Sequence, residues 1–395
     1  MSFDHALEGA LAALRDGGNL RVPRTIEALG GGWVRIEGRD VLGLCSNDYL
    51  GLAADDPRAP IPEGATNGLR AVSGSERGAA ASRLVSGTRP IHRQAEGALA
   101  AFTRTDASLL FSSGYAANVS CIPAIAEAGD LLLSDSSNHA SLIDGCRLSR
   151  ADTIIFPHLD LPTLQERLTE LAPRYRRTWI VTEAIFSMDG DVAPLSDLRR
   201  LADQHRAFLY VDEAHSLGIR GPEGSGLCAE ERVRPEVFIG TLGKAFGLAG
   251  AFASGSTHLI RWLENRARGF VFSTASPPHQ AAEILVAIDR VRHADAARAQ
   301  LLSHTTRLRS ALAHLPFALV GGDNSAILSV IVGDPHQVMA FTDQLLERGV
   351  FVQGIRAPTV PPGTERLRIV PSAAHSAQDI DAAIETLVSV LEAPP

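Results

Sequence analysis

The chain has 395 residues, too many for one ordinary core, so more than one domain is expected. Hydrophobic residues make up 45% and charged residues 21%, which fits a globular enzyme and excludes a disordered chain. The formal net charge is −8 with no long Lys/Arg block, which excludes nucleic acid or an anionic membrane as the main partner; an anionic substrate must be caught by local arginines.

Residues 3–14 place Phe3, Ala6, Leu7, Ala10, Leu11 and Leu14 at helical spacing, and Asp16-Gly17-Gly18 ends that helix. It is expected to pack on another domain or subunit. Apolar runs at 33–36 and 41–44 flank Glu37-Gly38-Arg39-Asp40 and predict a hairpin. Residues 53–90 are rich in Ala, Gly, Pro and Ser, and Ser73-Gly74-Ser75-Glu76-Arg77-Gly78 reads as a linker or an active-site loop. Strands at 107–111, 131–134, 153–156, 178–182, 207–212, 236–240 and 250–253 alternate with helices at 92–102, 115–127, 139–149, 162–172 and 195–205. Such alternation predicts a largely parallel sheet covered on both faces. Past residue 285 one long helix to about His314 is followed by strands at 327–332, 350–353 and 367–370 and helices at 337–347 and 377–391, a smaller α+β domain. The expected divisions are an N-terminal segment 1–52, a large domain 53–285 and a small domain 286–395. The four cysteines, Cys45, Cys121, Cys146 and Cys228, form no CxxC pair and read as buried thiols in a reducing compartment. No basic start leads into an apolar N-terminal core, and no apolar run could span a bilayer, so a cytoplasmic protein is expected.

In open α/β sheets the chemistry gathers at the carboxyl ends of the strands. Asp212 ends one apolar run, with His215 three residues on, and Lys244 follows the next run in a loop of small residues. A lysine there can form a Schiff base with an aldehyde cofactor and, once freed, act as a general base; Phe246 lowers the local polarity and favours the neutral amine. A carboxylate can hold a protonated pyridine nitrogen, the usual protein contribution to pyridoxal phosphate chemistry. Asp212 and His215 also admit a metal reading, but no third ligand stands at helpful spacing. Gly114-Tyr115 opens a helix after a Ser-Ser turn, where free N–H groups and the helix dipole suit a phosphate. Thr241, Ser273 and Thr274 are further hydroxyl donors. His139 precedes another helix and is either structural or stacked on a ring. Ser187 lies in a turn at a further strand end. Arg366 and Arg368 share one face of a strand, as a carboxylate clamp or as a solvated edge pair. No GxGxxG opens a helix after a strand, which disfavours a dinucleotide-binding dehydrogenase.

Seven motifs occur in order: Ser46-Asn47-Asp48-Tyr49-Leu50-Gly51-Leu52, Arg83-Leu84-Val85-Ser86-Gly87-Thr88, Asn138-His139-Ala140-Ser141, Phe186-Ser187-Met188-Asp189-Gly190-Asp191, Val211-Asp212-Glu213-Ala214-His215, Thr241-Leu242-Gly243-Lys244 and Arg366-Leu367-Arg368. Together they resemble the α-oxoamine synthase family of fold-type I pyridoxal phosphate enzymes, from about residue 24 to the C-terminus. The resemblance implies an α/β fold-type I transferase with a seven-stranded, mostly parallel sheet and a smaller C-terminal α+β domain. It implies pyridoxal 5'-phosphate bound covalently by Lys244, with Asp212 on the ring nitrogen and His139 on the ring face. His215 and Ser187 would bond the phenolic oxygen, and Gly114, Tyr115 and Thr241 the phosphate. Ser273 and Thr274 would reach in from the second chain of a homodimer. Arg368 with Asn47 would take the amino acid carboxylate, and Arg21, Arg24 or Arg356 the acyl substrate. The implied reaction is a decarboxylative C-acylation of an amino acid by an acyl thioester. L-Alanine with pimeloyl-CoA or a pimeloyl carrier protein is the expected pair, and glycine with acetyl-CoA the rival. An aminotransferase and a non-catalytic binding protein retaining the fold are the other readings. One stretch departs from the family pattern: Gly78-Ala79-Ala80-Ala81-Ser82-Arg83 replaces Gly-Ser-Gly-Ala-Ser-Arg, and Ala80 lacks the freedom of glycine to take a positive φ.

Overall fold

The computed structural model describes residues 2–54 and 78–393; Ser73 to Arg77 of the Gly/Ser-rich stretch lie outside the described residues. The chain divides into two compact units: Pro57–Phe186 with Val192–Asp295, and Met1–Asp56 with Ser187–Asp191 and Ala296–Pro395.

The first of these carries a seven-stranded sheet. Its spatial order is Ala107–Phe111, Ala251–Gly255, Val237–Thr241, Phe208–Asp212, Arg177–Glu183, Asp130–Asp135, Asp152–Phe156. Only Ala251–Gly255 runs antiparallel to its neighbours. Both sheet faces are covered, so the inner strands read as unbroken apolar runs such as Leu131-Leu132-Leu133 and Leu209-Tyr210-Val211, all buried. One layer of the core packs Leu109, Val181, Ile239 and Ala253 of the sheet against Cys121, Ile122 and Leu142 of the helices Gly114–Ile125 and Ala140–Leu148. All seven expected strands form, each within two residues of its expected ends. Helices Thr257–Arg266 and Arg268–Val271 were not anticipated. Ala80 does take a positive φ, +59°, so the alanine adopts the conformation a glycine would occupy at no steric cost.

The other unit holds two four-stranded sheets. In one, Ile26–Gly30, Trp33–Ile36 and Arg39–Gly43 form an antiparallel meander to which Val350–Phe351 adds in parallel. In the other, the order is Ala318–Val320, Leu328–Ile331, Arg366–Ile369, Gln353–Ile355. Leu42 and Leu44 share one core with Leu328, Phe341, Leu367, Ile369 and Leu387, which is why the N-terminal segment and the C-terminal region cluster together. Three expectations are corrected. The helix expected from 285 to 314 is two, Pro278–Arg292 and Asp295–Leu312, because the backbone at His293 turns and caps the first on Asp289 and Val291. The single strand expected at 350–353 is two short strands serving different sheets. Strands Ile26–Gly30 and Ala318–Val320 were missed. The helix Phe3–Asp16 forms as expected, and none of its residues is buried.

Within the larger unit one ion pair ties helix Pro90–Thr103 to the sheet. Arg83 donates to both oxygens of Glu96 at 2.9 and 3.1 Å, Glu96 also accepts the Leu110 N–H at 3.2 Å, and both side chains are buried. Removing one member leaves the other charge buried and uncompensated. Glu96→Ala is expected to lower the unfolding free energy by about 3–5 kcal/mol, read by urea-induced unfolding followed by circular dichroism.

Candidate active site

The carboxyl ends of adjacent strands in the larger unit converge on one cavity of about 260 Å³, near the lower end of the about 300–1,000 Å³ common for small-molecule sites. Its lining includes Gly114, Tyr115, His139, Asp212, His215, Thr241 and Lys244. Seven of the residues singled out from sequence are therefore brought together. Glu183, Ser113 and Ser141 also line it.

Each position follows from a local element. Asp212 is the last residue of strand Phe208–Asp212 and is buried. Its Oδ1 accepts the Ala214 N–H at 2.9 Å and its Oδ2 accepts from Asn118 Nδ2 at 2.7 Å. Lys244 Nζ lies 2.7 Å from His215 Nε2. His139 caps helix Ala140–Leu148: its Nδ1 accepts the Ser141 N–H at 3.2 Å and lies 2.8 Å from Ser141 Oγ. Burial, reinforced by the Lys244 cation, pulls the His139 imidazole below its ordinary value against the opposing carboxylates of Asp212 and Asp144. Ser113 caps helix Gly114–Ile125 by accepting the Ala116 N–H at 3.1 Å. Gly114 and Tyr115, at the start of that helix, line the cavity together with Thr241 at the end of strand Val237–Thr241. A Cβ on Gly114 would meet Thr241 Cγ2 at 2.7 Å, so only glycine permits this closeness. Thr241 Oγ1 is buried with no hydrogen-bond partner among the described residues. A buried hydroxyl without a partner beside a helix N-terminus is a site waiting for an anion.

Glu183 is the functional candidate that sequence reasoning passed over. It ends strand Arg177–Glu183 and pairs in register with Asp212 on the neighbouring strand, which was the available signal. Its Oε1 accepts the His139 N–H at 2.6 Å. Burial, and then the Asp212 charge, push its carboxyl from the ordinary 4.5 up to about 8.

The remaining sequence candidates lie elsewhere. Ser273 and Thr274 belong to the same unit but not to the cavity lining; Thr274 is exposed and forms an isolated bridge with Ser82. Ser187, Asn47, Arg368, Arg21 and Arg356 belong to the other unit. There Arg368 is buried on an interior strand, donating from Nε to the Ser187 carbonyl at 2.7 Å and from a terminal nitrogen to Asn47 Oδ1 at 3.1 Å. Arg366 pairs with Asp189. The solvated edge pair is thereby ruled out. Arg24 is engaged by Glu37 and Asp343. Arg21 instead donates to the Ala357 carbonyl and Thr359 Oγ1, both at 3.1 Å, and Arg356 donates to the Leu20 carbonyl at 3.3 Å. Burial and then the Arg21 cation depress the Arg356 guanidinium. The Asp343 charge opposes that shift on Arg356.

A family profile described as Aminotransferase class I and II matches residues 39–387. The chain is 45% identical over 378 residues to the 8-amino-7-oxononanoate synthase of Anaeromyxobacter dehalogenans, covering 94% of this chain and 93% of that one. It is 39% identical to 8-amino-7-oxononanoate synthase 2 of Bacillus subtilis, covering 99% and 98%. Among solved structures it resembles Sphingomonas wittichii serine palmitoyltransferase, with TM-score 0.87, 31% identity and coverage of 98% and 96%. It also resembles the 8-amino-7-oxononanoate synthase of Francisella tularensis, with TM-score 0.73, 25% identity and coverage of 88% and 97%. The chain belongs to the class I and II aminotransferase family. Within that family it is an α-oxoamine synthase of fold-type I.

The pH dependence of stability tests the Glu183 environment. A carboxyl whose folded value is raised contributes stability that is fully present below its unfolded value and lost as pH rises through the folded one. In the cofactor-free protein that loss is expected between about pH 4.5 and about pH 8. Glu183→Gln should flatten the fall in unfolding free energy across this window, measured by urea titrations at a series of pH values.

Proposed function

We propose that this chain is a pyridoxal 5'-phosphate enzyme that condenses L-alanine with pimeloyl-CoA, or a pimeloyl carrier protein, to give 8-amino-7-oxononanoate, CoA and CO2, a step of biotin formation. The cavity that gathers Lys244, His215, Asp212 and His139 beside an unpartnered Thr241 hydroxyl at a helix N-terminus carries this reading. The names of the sequence relatives direct it to alanine and a pimeloyl donor.

The lining fits the cofactor: an amine, a buried acid, an imidazole and an anion cradle in one pocket. Lys244 Nζ would hold it covalently, and the N–H groups of Gly114 and Tyr115 with Thr241 Oγ1 would hold its phosphate. Bound there, it supplies an electron sink for the charge left at the amino acid Cα. Asp212 would hold the protonated ring nitrogen. His139 covers one ring face and excludes water. His215 and Ser187 donate to the phenolic oxygen. Lys244, displaced by the amino acid, accepts the Cα proton at Nζ and later returns one. Arg368, positioned by Asn47, binds the alanine carboxylate. Arg21 and Arg356 bind the free carboxylate of the pimeloyl chain. A cytoplasmic homodimer in which Ser273 and Thr274 serve the second copy's phosphate site completes the reading. Among the described residues no helix is long and apolar enough to cross a membrane.

The test is the visible spectrum of the purified holoenzyme on adding L-alanine or glycine, with CoA release then followed on pimeloyl-CoA or acetyl-CoA. A spectral response to alanine and CoA release only with the pimeloyl donor support the proposal; preference for glycine and acetyl-CoA moves the chain to that branch. Lys244→Ala is expected to cut turnover by about 10²–10⁴-fold or more, and survival of turnover would sink covalent catalysis. Arg368→Ala removes a charged hydrogen-bond donor worth about 1.5–3 kcal/mol, so the alanine KM should rise about 10–150-fold.

A further inference from the structure

Helix Gly114–Ile125 and strand Phe208–Asp212 contribute two side chains that touch the site only through others: Asn118 and Tyr210. Both are buried, and neither lines the cavity. Tyr210 lies two residues before Asp212, so the two side chains leave the same face of the strand. The Tyr210 hydroxyl donates to Asn118 Oδ1 at 2.7 Å. The Asn118 amide spends one N–H on Asp212 Oδ2 at 2.7 Å and lies 2.9 Å from Ser141 Oγ with the other. Every polar atom of this amide is thereby used.

The direction of each bond follows from its neighbours. Burial lifts the Tyr210 phenol well above its ordinary value, so its hydroxyl keeps its proton and donates. The amide oxygen must accept it, which turns the amide nitrogen toward Asp212; the flipped amide would set an oxygen against the carboxylate. Ser141 Oγ accepts from that nitrogen and has its own proton left for His139 Nδ1, 2.8 Å away. His139 Nδ1 already accepts the Ser141 backbone N–H. With two donors aimed at it, Nδ1 carries no proton, and the imidazole proton sits on Nε2. The charged groups acting on this imidazole are Lys244, Asp212 and Asp144, and the Glu183 carboxyl accepts the His139 backbone N–H.

We propose that Asn118, locked by Tyr210, is a positioning residue that fixes two sides of the cofactor pocket with one amide: the Asp212 carboxylate directly and the His139 tautomer through Ser141. One buried side chain thus couples the acid assigned to the ring nitrogen to the imidazole assigned to the ring face. The proposal rests on the pyridoxal phosphate reading above.

The experiment compares holoenzymes of the wild type, Asn118→Ala, Tyr210→Phe and Ser141→Ala. The readouts are the pH midpoint of the visible cofactor absorbance, cofactor Kd from fluorescence quenching, and the split between kcat and alanine KM. Partners that orient a site's working groups typically account for ~10–100-fold in affinity or activity. Asn118→Ala should therefore lower kcat ~10–100-fold, weaken cofactor binding and move the absorbance midpoint, with the alanine KM within about threefold, since the amide bonds Asp212, Ser141 and Tyr210 and neither Arg368 nor Asn47. Tyr210→Phe deletes one hydroxyl from a filled core and should shift all three readouts in the same direction by less. Ser141→Ala should lower kcat while leaving the absorbance midpoint where it was, because it cuts only the His139 arm. If Asn118→Ala fails to fold, Tyr210→Phe decides. A folded Tyr210→Phe or Asn118→Ala enzyme with wild-type midpoint, Kd and kcat overturns the proposal. Absence of any cofactor band in the wild type instead overturns the pyridoxal phosphate reading itself.

Discussion

A buried carboxylate at the end of a central strand is the constraint on which the rest of the site depends. A carboxyl group held out of water, as at Asp212, is expensive unless donors meet it. The protein supplies them from both directions: the Ala214 N–H from the turn that follows the strand, and the Asn118 amide from the helix packed over it. Those donors exist only if strand and helix hold their register, so the sheet order and the layer of apolar side chains beneath helix Gly114–Ile125 are preconditions for the charge. The same geometry sets Glu183 directly beside Asp212 on the next strand, and the mutual repulsion, added to burial, is what drives the Glu183 carboxyl toward its neutral form. At neighbouring strand ends, Asp212 is met by two hydrogen-bond donors while burial and the Asp212 charge raise the Glu183 carboxyl.

The larger unit was legible because a parallel sheet covered on both faces advertises itself. Its strands cannot alternate polar and apolar residues, so runs such as Leu131-Leu132-Leu133 stand out against the amphipathic helices between them. The smaller unit was less legible. Its strands are two to five residues long, and Val352 alone separates two of them that serve different sheets. No local pattern announces such a switch. Nor does sequence order reveal that Leu42 and Leu44 complete a core built mainly from residues beyond 300, because that assembly is decided by non-local packing. The break at His293 is similarly quiet: no Gly or Pro marks it, and only the backbone turn that caps the first helix ends it there.

For the site, residues at the ends of apolar runs could be read and residues inside them could not. Asp212, Thr241 and Lys244 follow strands, and His139 stands at a helix start, so each is exposed by its place in the pattern. Asn118 lies within a helix and Tyr210 within a strand, where a single polar atom among apolar neighbours looks like a tolerated exception. Their meaning is a matter of which atoms face which, and that is set by side-chain direction rather than by spacing alone.

Substrate choice separates from this common machinery. A solved serine palmitoyltransferase and a solved 8-amino-7-oxononanoate synthase both share the fold, so the fold by itself does not choose an acyl group. The difference must come from side chains that meet the far end of the acyl chain. Arg21 and Arg356 offer two guanidinium groups with no carboxylate paired to either among the described residues. Burying a hydrocarbon terminus against such a pair would strip water from the cations without replacing it. An acyl chain that ends in a carboxylate returns two charged hydrogen bonds for the same desolvation. A site built to hydrogen-bond a polar end of a substrate discriminates more strongly than a missing or extra methylene, which is worth only about 1–3 kcal/mol. Under the role proposed for Arg21 and Arg356, that is the physical ground on which the pair would favour a dicarboxylate-derived donor over a plain fatty acyl one.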